Sequence, residues 1–243
     1  MKKNKTLIGS WMQTASAPNA EIISGFNFDW ICFDLEHGEL YLHDIPSLMR
    51  IFEKKKIKKF VRVKTIDEYI CSKVIEFGID GIIFSKIENS GQVLLIKKYC
   101  NYPPNGEKGV GFSRHNNYGD NVSWEIKNES LTLIGMIETK KGLKNINKIL
   151  NNKVLDGVFI GPYDLSMSLG IPEKFNSPIF KKSLEKILNE VKKKKLICGI
   201  HEVSGKTNAI NNRINEGFNF IGAGIDTIYL KNSLENLKKI LQK

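Results

Sequence analysis

The sequence predicts an α/β protein, a (β/α)8 TIM barrel in a single domain over residues 1–243, on three observations. Eight short apolar segments alternate with longer amphipathic ones along the 243 residues. Most of the short segments are unbroken apolar runs, which is how strands buried on both faces of a parallel sheet read. Three helix-like stretches end in glycine and pass at once into a strand, at Gly25-Phe26, Gly78-Ile79 and Gly217-Phe218. That is the connection expected where a helix C-cap leads into a buried strand. A doubly wound open sheet is the weaker alternative, because GSWMQTAS after the first strand lacks the G-x-G-x-x-G phosphate loop.

The predicted strands run 6–11, 29–34, 59–63, 80–85, 131–137, 156–160, 196–200 and 218–222. Between them, residues 66–77 place Ile66, Tyr69, Ile70, Val74 and Phe77 at helical spacing. Residues 179–193 do the same with Ile179, Leu184, Ile187, Leu188 and Val191, and Asn176-Ser177-Pro178 supplies the helix start. No linker or low-complexity stretch divides the chain. Residues 101–130 form a long polar segment, and loops of that length in compact domains are usually functional.

Composition narrows the function classes. With 41% hydrophobic and 26% charged residues the chain is globular, and no apolar run approaches the ~20 residues of a membrane span. The basic start MKKNKTLIGSWMQ lacks the apolar core of a secretory signal, so the expected compartment is cytoplasmic. Cys32, Cys71, Cys100 and Cys198 form no C-x-x-C pair and are expected to be reduced, buried thiols. The net charge of +11 raises nucleic acid as a partner. Yet only four of the 37 basic residues are arginines, and the densest runs, 53–59 and 191–195, fall at expected helix C-termini, where cations are favourable. Neither nucleic acid nor membrane is therefore expected as a partner.

Catalytic groups of a barrel stand at the C-terminal ends of its strands. The polar and aromatic residues there are Trp11, then Asp34, Glu36 and His37, then Arg62, Lys86 and Glu88, Glu138, Asp164, His201 with Glu202, and Asp226. Glu138 and Asp164 end neighbouring strands. Two carboxylates without clustered cysteine or histidine suit a hard divalent ion, although Glu138 could equally be a salt-bridged barrel residue. Asp34 and His37 could form a general-base dyad, or His37 could cap a strand end. Arg62 inside an apolar strand needs a partner, either an internal carboxylate or an anionic substrate.

Five segments in order, DW-x-x-x-D-x-EHG, VRV, YPP-x-G-x-x-GVG, IET-x-x-G-x-x-N and DGVFIGP-x-DLS-x-x-LG, resemble the HpcH/HpaI aldolases from about Gly9 to about Asp226. The resemblance implies a pyruvate-type barrel, a hexamer built as a trimer of dimers, and a last helix packed on a neighbouring subunit. It implies a divalent metal ion, Mg²⁺, Mn²⁺ or Co²⁺, held by Glu138 and Asp164. It implies reversible cleavage of a hydroxylated 2-keto acid to pyruvate and an aldehyde through an enolate. His37 is then the catalytic histidine, Asp34 orients it, and Arg62 stabilises the oxyanion. Trp11 would line the pyruvate site, Gly161 to Tyr163 would offer backbone N–H groups to the pyruvate carboxylate, and Arg114 would clamp an anionic group on the aldehyde half or brace its loop. The sequence departs from the family pattern at Met136, Tyr163 and His201. The competing expectations are a citrate-lyase-β-like enzyme acting on an acyl-CoA, a Schiff-base aldolase using Lys86, and an inactive basic barrel with a binding role.

Overall fold

The computed structural model describes residues 5–120 and 131–241, so residues 121–130 of the long polar segment lie outside the described residues. Eight parallel strands close a barrel in sequence order. They are Leu7–Met12 (β1), Trp30–Asp34 (β2), Lys58–Val63 (β3), Gly81–Phe84 (β4), Thr132–Met136 (β5), Gly157–Ile160 (β6), Ile197–Glu202 (β7) and Phe220–Ile225 (β8). The helices are Ala17–Ser24 (α1), Ile45–Ile51 (α2), Glu68–Glu76 (α3), Ser90–Cys100 (α4), Lys140–Leu150 (α5), Pro162–Ser168 (α6), Pro178–Lys193 (α7), Thr207–Glu216 (α8) and Asp226–Leu241 (α9). Each predicted strand is present, displaced by a few residues at its ends.

Local chemistry explains the boundaries. Ser177 caps α7 by accepting the Phe180 N–H, with Pro178 in the first turn. Of the three glycine junctions, Gly78 and Gly217 adopt left-handed backbone, at φ 78° and 103°. Gly25 does not: at φ −75° it stays right-handed, and the chain leaves α1 without a left-handed turn. The predicted stripe on α3 also needs correction. Tyr69 is exposed, while Cys71, Val74 and Ile75 face the barrel. Likewise Ile179 on α7 is exposed.

Two apolar layers result. The larger lies between the strands and the surrounding helices. The smaller fills the barrel with Trp11, Trp30, Cys32, Phe60, Ile83, Ile134, Met136, Phe159 and Phe220 among its members. Trp30 stacks on Phe220 at 4.1 Å, and glycines on neighbouring strands make room for such bulk. A Cβ on Gly9 would lie 2.0 Å from the Trp30 ring, and one on Gly199 would lie 2.3 Å from Phe159. This floor sets the inward parity of each strand. Two residues beyond Cys32, Phe60 and Met136, the same parity brings Asp34, Arg62 and Glu138 toward the barrel mouth.

All four cysteines are buried free thiols. No helix among the described residues is long and apolar enough to cross a membrane.

Candidate active site

A cleft of about 680 Å³ opens at the C-terminal ends of the strands, lined in part by Glu36, His37, Glu138 and Asp164. Beside Glu36, a buried charged pair joins β2 to β3. The register sets Asp34 beside Arg62. Arg62 donates from Nε at 2.8 Å and from a terminal nitrogen at 2.5 Å to the two Asp34 oxygens. The Gln13 amide donates to Asp34 at 3.0 Å, and the Asp226 carboxylate holds the Gln13 backbone N–H at 3.0 Å. Burial works against ionisation of Asp34, but the Arg62 hydrogen bonds and charge outweigh it and hold the carboxyl below its ordinary value.

The expected pairing of Asp34 with the His37 ring is therefore corrected. Asp34 accepts the backbone N–H of His37 at 3.2 Å, which shapes the DLEHG turn, while its oxygens are committed to Arg62. The His37 ring stands 59% exposed at the cleft, with Nε2 3.9 Å from Glu36. Glu36 also accepts from Ser85 Oγ at 2.5 Å and lies 3.4 Å from Arg62. It is the central carboxylate between guanidinium, imidazole and cleft. Its position at the end of β2 was visible in the sequence, but no pairing singled it out. Ser85 carried no signal beyond following a strand.

Glu138 is buried beyond the end of β5 and accepts the Lys86 backbone N–H at 2.7 Å. Burial first, then the charges of Glu36 and Asp164, push its carboxyl up to about 7. Gly161 leaves it room: a Cβ there would approach Glu138 Oε2 to 2.7 Å. Asp164 follows in the first turn of α6. Trp11 forms a wall below Arg62, whose guanidinium carbon is 5.4 Å from the ring centroid. Its buried Nε1 has no hydrogen-bond partner among the described residues. The His201 ring stacks on Trp11 at 4.7 Å and donates from Nε2 to the Gly224 carbonyl at 3.2 Å. Burial pushes this imidazole down to about 4.

One expected substrate residue turns its ring outward, and another lies elsewhere. The Tyr163 ring is 45% exposed and meets Phe175 edge-on at 5.1 Å, away from the cleft lining. Arg114 pairs with Glu53 and packs beside Gly78. Both of those residues precede strands, so Arg114 braces the N-terminal end of the barrel, opposite the cleft.

The sequence model of the HpcH/HpaI aldolase/citrate lyase family matches residues 7–233. The chain belongs to this family. Among its relatives, 2-keto-3-deoxy-L-rhamnonate aldolase of Escherichia coli K12 is 27% identical over 97% of this chain and 88% of its own length. Citrate synthase SbnG superimposes with a TM-score of 0.83 at 25% identity, over 99% of this chain and 96% of that one. The HpcH/HpaI aldolase/citrate lyase family protein of Burkholderia cenocepacia J2315 has a TM-score of 0.90 at 22% identity, over 100% and 96%, and shares the fold. With aldolases among its relatives, the chain is a carbon–carbon lyase of the aldolase class.

The aldolase's carboxylates suit a divalent ion. Glu138 is a buried acid crowded by two others and facing a cleft, so a cation there would relieve the repulsion that raises it. Among the described residues no cluster of three or more metal-ligating side chains occurs. Two hard oxygen ligands match a Mg²⁺-type site completed by water and substrate oxygens.

Proposed function

We propose that this aldolase reversibly cleaves a hydroxylated 2-keto acid to pyruvate and an aldehyde, with Glu138 and Asp164 holding Mg²⁺, Mn²⁺ or Co²⁺. When bound, the ion supplies Lewis-acid polarisation at the keto-acid oxygens. Arg62 offers fixed positive charge where the oxyanion develops, and its two hydrogen bonds to Asp34 remove the need to reorganise during reaction. His37 Nε2, exposed at the cleft, takes the proton of the C4 hydroxyl in cleavage and returns it in condensation. Glu36, rather than Asp34, is the carboxylate beside that nitrogen. The Tyr163 backbone N–H, in the first turn of α6, is assigned to the substrate carboxylate. The relatives named 2-keto-3-deoxy-L-rhamnonate aldolase make sugar acids the substrate class to test first.

A homo-oligomer, a hexamer as a trimer of dimers, is proposed as the working form. Leu230, Leu234, Leu237 and Leu241 are exposed along α9 at helical spacing, a face suited to a second copy. The unpaired buried thiols suit a reducing, cytoplasmic compartment.

The observation that carries the proposal is the buried, acid-crowded Glu138 beside Asp164 in the same cleft as His37. The test is exchange of pyruvate methyl protons in D₂O, followed by NMR. Exchange should require added metal and disappear in Glu138→Ala and Arg62→Ala. Exchange that survives chelation, or persists in both variants, would remove the assignment.

A further inference from the structure

The cleft does not end at the carboxylates. Its lining continues through Lys86, Lys140, Lys141 and Lys144, with Met167 and Ser168 beside them, the Ser168 hydroxyl accepting the Lys140 backbone N–H at 2.9 Å. Lys141 is neutralised by Glu88 at 3.0 Å. Glu36 shares the single charge of Arg62 with Asp34 and accepts from Ser85, so its own charge is only partly offset. Lys86, Lys140 and Lys144 form no salt bridge among the described residues, although the Lys86 charge also acts on Glu88. Glu36, Glu138 and Asp164 remain on the acidic side of the cleft, and a divalent ion would offset two of these three charges. The loaded cleft then keeps an excess of positive charge at its outer end, and its natural complement is a substrate with a multiply charged anion there.

Local structure does not account for this placement. Lys140 and Lys141 occupy the first turn of α5, which contains no acid. The helix dipole favours anions at that end, so the lysines work against the helix they begin. Lys86 adopts left-handed backbone at φ 55°, and its N–H donates to Glu138 at 2.7 Å. One residue thus joins the carboxylate site to the basic wall. The wall is built of lysines alone, compact point charges that suit a multiply charged anion such as a phosphate.

We infer that the aldehyde half of the substrate ends in a phosphate ester, received by Lys86, Lys140 and Lys144 at the outer end of the cleft. The inference rests on the aldolase reading above. Cleavage breaks the C3–C4 bond, its electron pair passes to C3, and the C4 hydroxyl proton leaves as C4 becomes the aldehyde. The phosphate ester stays intact on the aldehyde, so no co-reactant is required.

The test is condensation of pyruvate with glyceraldehyde, glyceraldehyde 3-phosphate and succinic semialdehyde by the metal-loaded protein. The phosphorylated aldehyde should exceed the neutral one in kcat/KM by about tenfold or more. Added salt should narrow the gap. The Lys140→Ala/Lys144→Ala variant should lower the ratio of the two by about tenfold. Calorimetry should show binding of glycerol 3-phosphate to the wild type that weakens by a similar factor in the variant. Equal or better use of glyceraldehyde, or an unchanged ratio in the variant, overturns the inference. Preference for succinic semialdehyde overturns the phosphate in favour of a carboxylate. Pyruvate proton exchange run alongside separates the failures: exchange without a phosphate preference sinks this inference alone, and no exchange sinks the aldolase reading as well.

Discussion

Glu138 ties stability, pH and metal together. Its carboxyl is moved from an ordinary 4.5 up to about 7, by burial and then by Glu36 and Asp164. The unfolded chain loses this proton near the ordinary value, while the folded chain keeps it until about 7. Rising pH therefore favours unfolding across that window and has no further effect through this group above it. The gap between the two values corresponds to about 3 kcal/mol. The perturbation is Glu138→Gln, which keeps the shape and removes the titration. The assay is urea unfolding of metal-free wild type and variant at about pH 5 and about pH 8. Wild-type stability relative to the variant should fall by about 2–3 kcal/mol between the two. Excess Mg²⁺ at the higher pH should restore it in the wild type and much less in the variant. A difference that is the same at both pH values would refute the crowding of Glu138. Equal stabilisation of both proteins by Mg²⁺ would refute its role as the ion's ligand.

Three other outcomes are expected. Asp34→Asn and Arg62→Met should each cost about 3–5 kcal/mol in urea unfolding, because each leaves a buried partner stranded. The double variant should fall short of their sum by about 2 kcal/mol, and additivity would show that the pair is not coupled. Arg114→Ala should leave condensation kinetics as they are and cost about 1 kcal/mol or less, since its ion pair with Glu53 is partly exposed; a large rise in KM would return it to the substrate site. Leu234→Glu combined with Leu237→Glu should shift the sedimentation coefficient to a smaller species, and an unchanged assembly would remove α9 from the interface.

Much of the barrel was legible because its signals are local. Buried parallel strands appear as apolar runs, and Gly78 and Gly217 mark left-handed exits from α3 and α8 before β4 and β8. Gly25 carries the same letter but keeps a right-handed backbone at φ −75°, which the letter alone does not reveal. The strand-end positions of Asp34, Arg62 and Glu138 were equally readable, because a period of two from barrel-filling residues carries inward parity to the mouth.

Partner choice was not readable. Asp34 and His37 are three residues apart, and proximity in sequence suggested a pair. The β2–β3 register instead sets Asp34 against Arg62, and a guanidinium with two donors satisfies a buried carboxylate better than one exposed ring. Arg114 lies in a polar segment between β4 and β5, and nothing in its neighbours tells which end of the barrel that segment folds against. Its contacts with Glu53 and Gly78 decide that. The same holds for the basic wall: Lys86 and Lys140 are 54 residues apart and meet only because β4 and β5 are adjacent in the closed sheet. The sequence by itself determined which segments become strands and which residues stand at their ends, since both follow from short-range periodicity. The tertiary structure decided which charges neutralise one another and which remain free, because that depends on distances set by closing the barrel.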